Sequence, residues 1–112
     1  MNQAELYQLL LESGLTVYRD WADTPAPLSL PHVVIQVPRN RGLGGDLSRL
    51  ADWHMVRLEL WSRRADLAAE GSIRRVLDRI GADYTLERVP LPEQGLHETV
   101  FEFEAIEVLN SE

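Results

Sequence analysis

The residues best suited to chemistry in this sequence of 112 residues are the carboxylates of its last predicted strand. Glu98, Glu102 and Glu104 recur at even spacing, and alternate side chains of a strand share a face. Carboxylates grouped in this way can transfer protons or bind a hard cation. No opposing group completes either kind of site, because no nucleophile in the sequence is paired with a base. Polar residues are also expected on any strand face that is exposed to solvent. We therefore predict a solvent-exposed acidic surface, no catalytic residue and no enzyme activity.

Histidines and glycines give no better site. His32, His54 and His97 are far apart, lie beside apolar strand residues and lack metal-ligand spacing. Residues 39–50, RNRGLGGDLSRL, hold three glycines and three arginines, a composition that can present backbone N–H groups to phosphate. The segment lacks both the Gly-Lys-Ser/Thr of a P-loop and the GxGxxG of a dinucleotide site. We therefore predict no metal, no cofactor and a mobile hairpin loop over residues 39–50.

The charge distribution excludes some partners. The formal net charge of −7 disfavours sequence-independent binding of nucleic acid, which requires a cationic surface. From Glu93 to the end there are six acidic residues and no basic one, so this part presents a negative surface wherever it is exposed. No apolar run reaches the roughly 20 residues that span a bilayer, and the N-terminus lacks the features of a signal peptide. We expect an intracellular protein without a membrane partner.

The strand over residues 53–64 is the clearest alternating run and is predicted to be central. Its even-numbered residues from His54 to Leu60 would face the core, while Met55, Arg57 and Glu59 would lie between Trp53 and Trp61 on the other face. Residues 32–37, bracketed by prolines, predict a short strand buried on both faces. The prolines of residues 22–31 predict an irregular arm that precedes it.

Two helices are predicted to cover the sheet. The first has a stripe of Leu6, Leu9 and Leu10 and ends near Ser13. The second begins at an Asp66 N-cap and runs to Ile80, with Glu70 and Arg74 on its wet side. The core stripe of the second helix is Ala69, Ile73, Val76, Leu77 and Ile80.

Strands are also predicted over residues 16–21, 84–89 and 97–109, and the inner face of the last strand carries Thr99, Phe101, Phe103 and Ala105. The order of elements is α-β-β-β-α-β-β. This order predicts a single α+β domain over residues 1–112, with a mostly antiparallel sheet of about five strands packed by two helices.

Five stretches of the chain resemble the tail-completion, or tail-terminator, proteins of long-tailed bacteriophages and prophages. They are AELYQLLLESGL, VYRDW, LPHVVIQV, VRLELWSRRAD and HETVFEFEAIE. The resemblance covers nearly the whole chain. It is carried by the strand that ends in Glu-Leu-aromatic before the second helix and by the closing aromatic-Glu-Phe strand. Residues 39–50 are richer in glycine and arginine than the family pattern.

The resemblance implies a structural assembly protein that caps the tail tube as a ring, commonly of six subunits, and joins the tail to the head. Its implied partners are copies of itself, the tail-tube protein and the head-side connector, with DNA passing through unbound. Assembly would take place in the bacterial cytoplasm, and the protein would then lie at the head-proximal end of the virion tail. The alternative is a small ligand-binding or regulatory α+β domain of host origin.

Within a ring, two surfaces are expected to have different roles. Aromatic residues, Met and Arg are favoured at interfaces, whereas a negative wall lets DNA pass without sticking. The predicted subunit interface is Arg39, Arg41, Trp53, Met55, Arg57, Glu59 and Trp61. The predicted acidic lumen face is Glu98, Glu102 and Glu104.

Overall fold

The computed structural model describes residues 3–19, 29–44 and 49–108, and its elements follow the predicted order. The elements are α1 (Gln3–Glu12), β1 (Val17–Tyr18), β2 (His32–Gly44), β3 (Arg49–Ser62), α2 (Leu67–Arg79), β4 (Tyr84–Leu91), a turn of 3₁₀ helix (Pro92–Gln94) and β5 (Leu96–Val108). The strands form one five-stranded sheet in the order β1-β2-β3-β5-β4. Strand β1 runs parallel to β2, and the remaining neighbours are antiparallel. The α+β class and the central position of β3 are confirmed.

One face of the sheet packs against both helices and forms the core. Alternation along each strand sends every second side chain to this face, and the leucine stripe of α1 and the apolar stripe of α2 close over it. The most deeply buried members of this core are Leu6, Leu10, Val33, Ile35, Leu58, Leu60, Ile73, Leu77 and Phe101. The predicted inner faces of β3 and β5 are therefore confirmed. His32, Val33, Val34 and Ile35 are all buried, as expected for the start of β2.

Helix α2 begins and ends where its sequence predicted. The Asp66 carboxylate accepts a hydrogen bond of 3.0 Å from the backbone N–H of Ala69, which satisfies one of the free donors of the first turn. Ile80 caps the other end, and Gly81 follows with a φ of 72°, a conformation that glycine adopts at little cost.

The prediction that Glu70 lies on the wet side of α2 is wrong. Glu70 is only 2% exposed, and its carboxylate accepts hydrogen bonds of 3.0 and 2.8 Å from the guanidinium of Arg88 on β4. Thr99 of β5 donates a third hydrogen bond, of 3.3 Å. The hydrogen bonds from Arg88 lower the pKa of Glu70, against the opposing effect of burial. The partner was missed because Arg88 is 18 residues away and only the sheet brings it beneath the helix.

The prediction of a loop is also wrong for residues 39–44 and 49–50, which lie in strands, while residues 45–48 of the predicted loop lie outside the described residues. Strand β2 continues to Gly44 and β3 starts at Arg49, and the pairing of these two strands extends to Gly44 opposite Arg49. A register shift between Gln36 and Arg39 leaves Pro38 at an irregular position, where its missing N–H does not break the ladder. Backbone hydrogen bonds hold this hairpin together, and its side chains show no hydrophobic periodicity. Because the segment is rich in glycine and arginine, its composition indicated a loop and not a strand.

The predicted proline-rich arm lies mainly outside the described residues. In the part of the chain that the structure describes, neither helix has the length and apolar character needed to cross a bilayer.

Candidate assembly surface

The face of the sheet that points away from the two helices is called the second face below. On β3 it carries the odd-numbered residues from Trp53 to Trp61, because their even-numbered neighbours lie in the core. Arg39 is paired with Met55 and Arg41 with Trp53, so both arginines of the hairpin lie on this face as well. The structure therefore brings together all seven residues of the predicted interface: Arg39, Arg41, Trp53, Met55, Arg57, Glu59 and Trp61.

The predicted lumen residues lie on the same face, next to the predicted interface. In the pairing of β3 with β5, Glu98 is opposite Trp61, Glu102 is opposite Arg57 and Glu104 is opposite Met55. The sequence predicts two separate surfaces, whereas the register makes these residues neighbours on one face. Any role of the second face in assembly must therefore account for both sets together.

Arg57 partly neutralises the carboxylates around it. Its Nε lies 3.1 Å from Glu59 Oε2, and its Nη1 lies 3.9 Å from Glu102 Oε2. The indole N–H of Trp53 donates a hydrogen bond of 3.3 Å to Glu104 Oε2. Since Arg57 and Glu102 are 37% and 41% exposed, solvent screens their attraction, and this pair contributes little stability. The second face thus combines acidic groups with donors from its own strands.

Glu59 and Glu98 form the least expected part of the second face. Glu59 is 6% exposed although it faces away from the helices, and its Oε1 is buried without a hydrogen-bond partner among the described residues. Burial, followed by the negative charge of Glu59, raises the pKa of Glu98. Sequence alternation gave no sign of this pair, because the residues are diagonal neighbours on β3 and β5.

The hairpin end of the second face is partly apolar. The guanidinium of Arg41 lies over the Trp53 ring, 5.4 Å from its centroid, which is within the range of a cation–π contact. On β5, directly opposite Trp53, Ile106 is 55% exposed. An open depression runs from Trp53 and Ile106 past Glu104 to Asp83, the residue before β4.

At its other end the second face is closed by aromatic contacts. The rings of Tyr18 and His32 meet edge to face with centroids 5.4 Å apart, and His32 is paired directly with Trp61. The Nδ1 atom of His32 lies 2.7 Å from the carbonyl oxygen of Ser29, so a protonated Nδ1 donates to it. This contact orders β2 at its beginning and leaves the hairpin end as the more exposed part.

The structure does not gather the three histidines. His32 lies on the second face and is buried, His54 has its Nε2 3.6 Å from Glu107 Oε1, and His97 is buried opposite Pro90. Across residues 3–19, 29–44 and 49–108, no three His, Asp or Glu side chains are placed to hold a metal ion. Gly42 and Gly44 are paired in the hairpin and do not form a phosphate cradle.

Comparison with protein-family models and with curated proteins gives no match for this chain. Among solved structures, its fold is similar to that of a chain in the virion of a native gene transfer agent (GTA) particle, with a TM-score of 0.65. The match covers 93% of this chain and 92% of that chain, at 13% sequence identity. At this identity the likeness shows a common fold.

Proposed function

We propose that this chain is a structural subunit of a phage-like particle that closes the tail tube as a ring and joins the tail to the head. The observation that carries the proposal is the fold shared with a virion chain over almost the full length of both proteins. The resemblance of five stretches of the sequence to tail-terminator proteins points to the same role. In this proposal the protein acts through contacts between proteins and not through catalysis.

The second face supports an assembly role on physical grounds. It places aromatic residues, a methionine and arginines side by side, and these residue types are enriched where proteins meet. Its carboxylates are adjacent, and a negative wall repels the phosphates of DNA that passes along it. One face thus has the composition for both contact with a neighbour and passage of DNA.

The proposed partners follow from this role. They are further copies of the chain, in a ring that we propose to hold six subunits, together with the tail-tube protein and the head-side connector. The proposed location is the bacterial cytoplasm during assembly and then the head-proximal end of the tail. The chain is expected to be a monomer at low concentration, because the exposed charges of the second face oppose association.

Deletion of the encoding gene, followed by electron microscopy of the particles, tests the proposal. We expect tails of irregular length that fail to join heads, and recovery of uniform, joined tails when the wild-type chain is supplied in trans. Met55→Asp should fail to restore them, because it adds a charge to the middle of the second face. Leu67→Asp is the matched control, since Leu67 is 70% exposed on α2, and it should restore tails fully.

Tails of normal length that remain joined to heads in the deletion strain would refute the proposed function. Equal recovery with both aspartate variants would leave the function intact and move the contact surface away from the second face.

A further inference from the structure

The two outer strands of the sheet leave backbone edges open. On β2, the short strand β1 pairs only with Val33 and Val34, and no described strand pairs the same edge farther along. Residues 38–42 of β2 are exposed. Strand β4 pairs with β5 on one side, and its other edge has no described strand beside it. An open edge presents N–H and C=O groups that can pair with another chain.

The open parts of the two edges match in length. Pro38 has no N–H to donate, so the part of the β2 edge that can pair with another strand begins after it. This part is residues 39–44, a stretch of six. Pro90 limits β4 in the same way, because proline has no N–H to donate, and leaves residues 84–89, also six. The prolines and charged residues also restrict pairing with unrelated edges. Each edge is therefore short and selective.

The topology dictates how these edges would meet in a ring. Strands β2 and β4 run in opposite directions, since β3 and β5 lie between them and each neighbouring pair is antiparallel. Rotation about a ring axis preserves direction along that axis and keeps the same sheet face inward. The β4 strand of a neighbour must therefore lie antiparallel to β2, with the second faces of the two subunits continuous.

Charge complementarity selects the register. Pairing residues 39–44 with residues 84–89 of the neighbour places Arg41 directly opposite Glu87. Both residues are exposed, and Glu87 shares the second face because it pairs with Val100, the neighbour of Glu59. Opposite charges across a strand pair attract, and like charges in that position repel.

The geometry of a closed ring is compatible with this register. Within one subunit Tyr84 pairs with Phe103 and Phe103 pairs with Val56, so Tyr84 lies level with residues 37–38 of β2. In the proposed register the neighbour's Tyr84 lies opposite Gly44, which is an offset of about six residues, or about 20 Å, along the strands. The repeat between subunits is four strand spacings, or about 19 Å across the strands. These two lengths give a strand tilt of about 45°, at the upper end of the roughly 35–45° typical of closed sheets.

We propose that neighbouring copies join by antiparallel pairing of residues 39–44 of β2 with residues 84–89 of β4, with Arg41 opposite Glu87. The inference rests on the proposed ring function. It supplies the two different patches that a head-to-tail contact requires, because each subunit offers its β2 edge to one neighbour and its β4 edge to the other.

Disulfide trapping tests the contact directly, because the wild-type chain has no cysteine. In one subunit Arg41 and Glu87 are three strand spacings apart, more than about 14 Å, which exceeds the roughly 7 Å limit between bridged Cα atoms. The double variant Arg41→Cys, Glu87→Cys should therefore give only intermolecular bridges, seen as a reducible ladder on denaturing gels that ends at the ring number. The control pair Arg75→Cys, Glu87→Cys should give no ladder.

Reversal of the two charges is a second test of the contact. Arg41→Glu and Glu87→Arg alone should each weaken association by about tenfold or more in analytical ultracentrifugation, because each places like charges opposite one another. The two changes combined in one chain should restore association. Arg75→Glu, on the exposed side of α2, is the matched control and should associate like the wild type.

No ladder above the control, together with no recovery in the combined variant, would overturn the edge contact. If wild-type protein still restores tails in that case, the ring function stands with a different interface. A ladder and charge rescue in a protein whose deletion leaves tails normal would support the edge contact and refute the tail function.

Discussion

Replacement of Glu70 by Gln should destabilise the protein at neutral pH and make its stability less sensitive to acid. The Glu70 side chain is 3% exposed and accepts two hydrogen bonds from Arg88 and one from Thr99. Breaking a buried ion pair costs about 3 to 5 kcal/mol when the remaining charge stays buried. The Arg88 side chain is 46% exposed and can return to water, so we expect a loss of about 2 kcal/mol at pH 7, near the value for hydrogen bonds to a charged group.

The sign of the pH effect follows from the lowered pKa of Glu70. In the unfolded chain this carboxyl group titrates at its ordinary pKa, so the folded state binds fewer protons in that range. The stabilisation is complete above the ordinary pKa and disappears as the pH falls through the lowered one. The difference in free energy of unfolding between wild type and Glu70→Gln should therefore shrink from pH 7 to pH 3.

Urea denaturation at both pH values, followed by circular dichroism, measures this difference. Glu93→Gln, an exposed carboxylate beyond β4, is the matched control and should leave the unfolding midpoint unchanged at both values. A Glu70→Gln variant as stable as the wild type at pH 7 would refute the inference that the buried carboxylate links α2 to β4. A difference that stays constant with pH would refute the proposed role of its ionisation.

Three further changes test the core, the helix cap and the second face. Leu58→Ala removes a fully buried side chain at the centre of β3 and should cost about 2 to 5 kcal/mol in denaturant unfolding, so a loss below about 0.5 kcal/mol would contradict its place in the core. Asp66→Ala removes the cap on the Ala69 N–H and should cost about 1 kcal/mol, whereas unchanged unfolding would show that the cap is dispensable. Glu98→Gln should raise the unfolding midpoint at pH 7 but not near pH 4, because the raised pKa of Glu98 makes its ionisation unfavourable on folding and a Gln amide can donate to Glu59. A lower midpoint at pH 7 would contradict this assignment.

Local patterns in the sequence were sufficient to predict the order of the elements and most of their buried residues. The two-residue alternation of β3 and β5 and the three- and four-residue spacing in α2 record which side of each element avoids water. The Asp66 cap is local in the same sense, because donor and acceptor are three residues apart. These features depend on near neighbours in the chain, and sequence analysis predicted them correctly.

The hairpin of β2 and β3 shows where such patterns end. Residues 39–44 are paired through backbone groups that every sequence possesses, and their side chains are mostly exposed. No burial constrains their residue types, so neither alternation nor apolar content marks the strand. The glycines and arginines of this segment indicated a loop, but pairing with β3 makes it a strand.

The composition of the second face was predictable from the sequence, but its arrangement was not. Alternation correctly placed Trp53, Met55 and Trp61 together, because they lie on one strand. That Glu102 is paired with Arg57, that Glu98 lies beside the buried Glu59, and that Arg88 reaches Glu70 depend on strand order and register. These pairings join residues from 18 to 45 positions apart, and the free energy that fixes them comes from the whole packed sheet. Only the tertiary structure could therefore decide which charges meet.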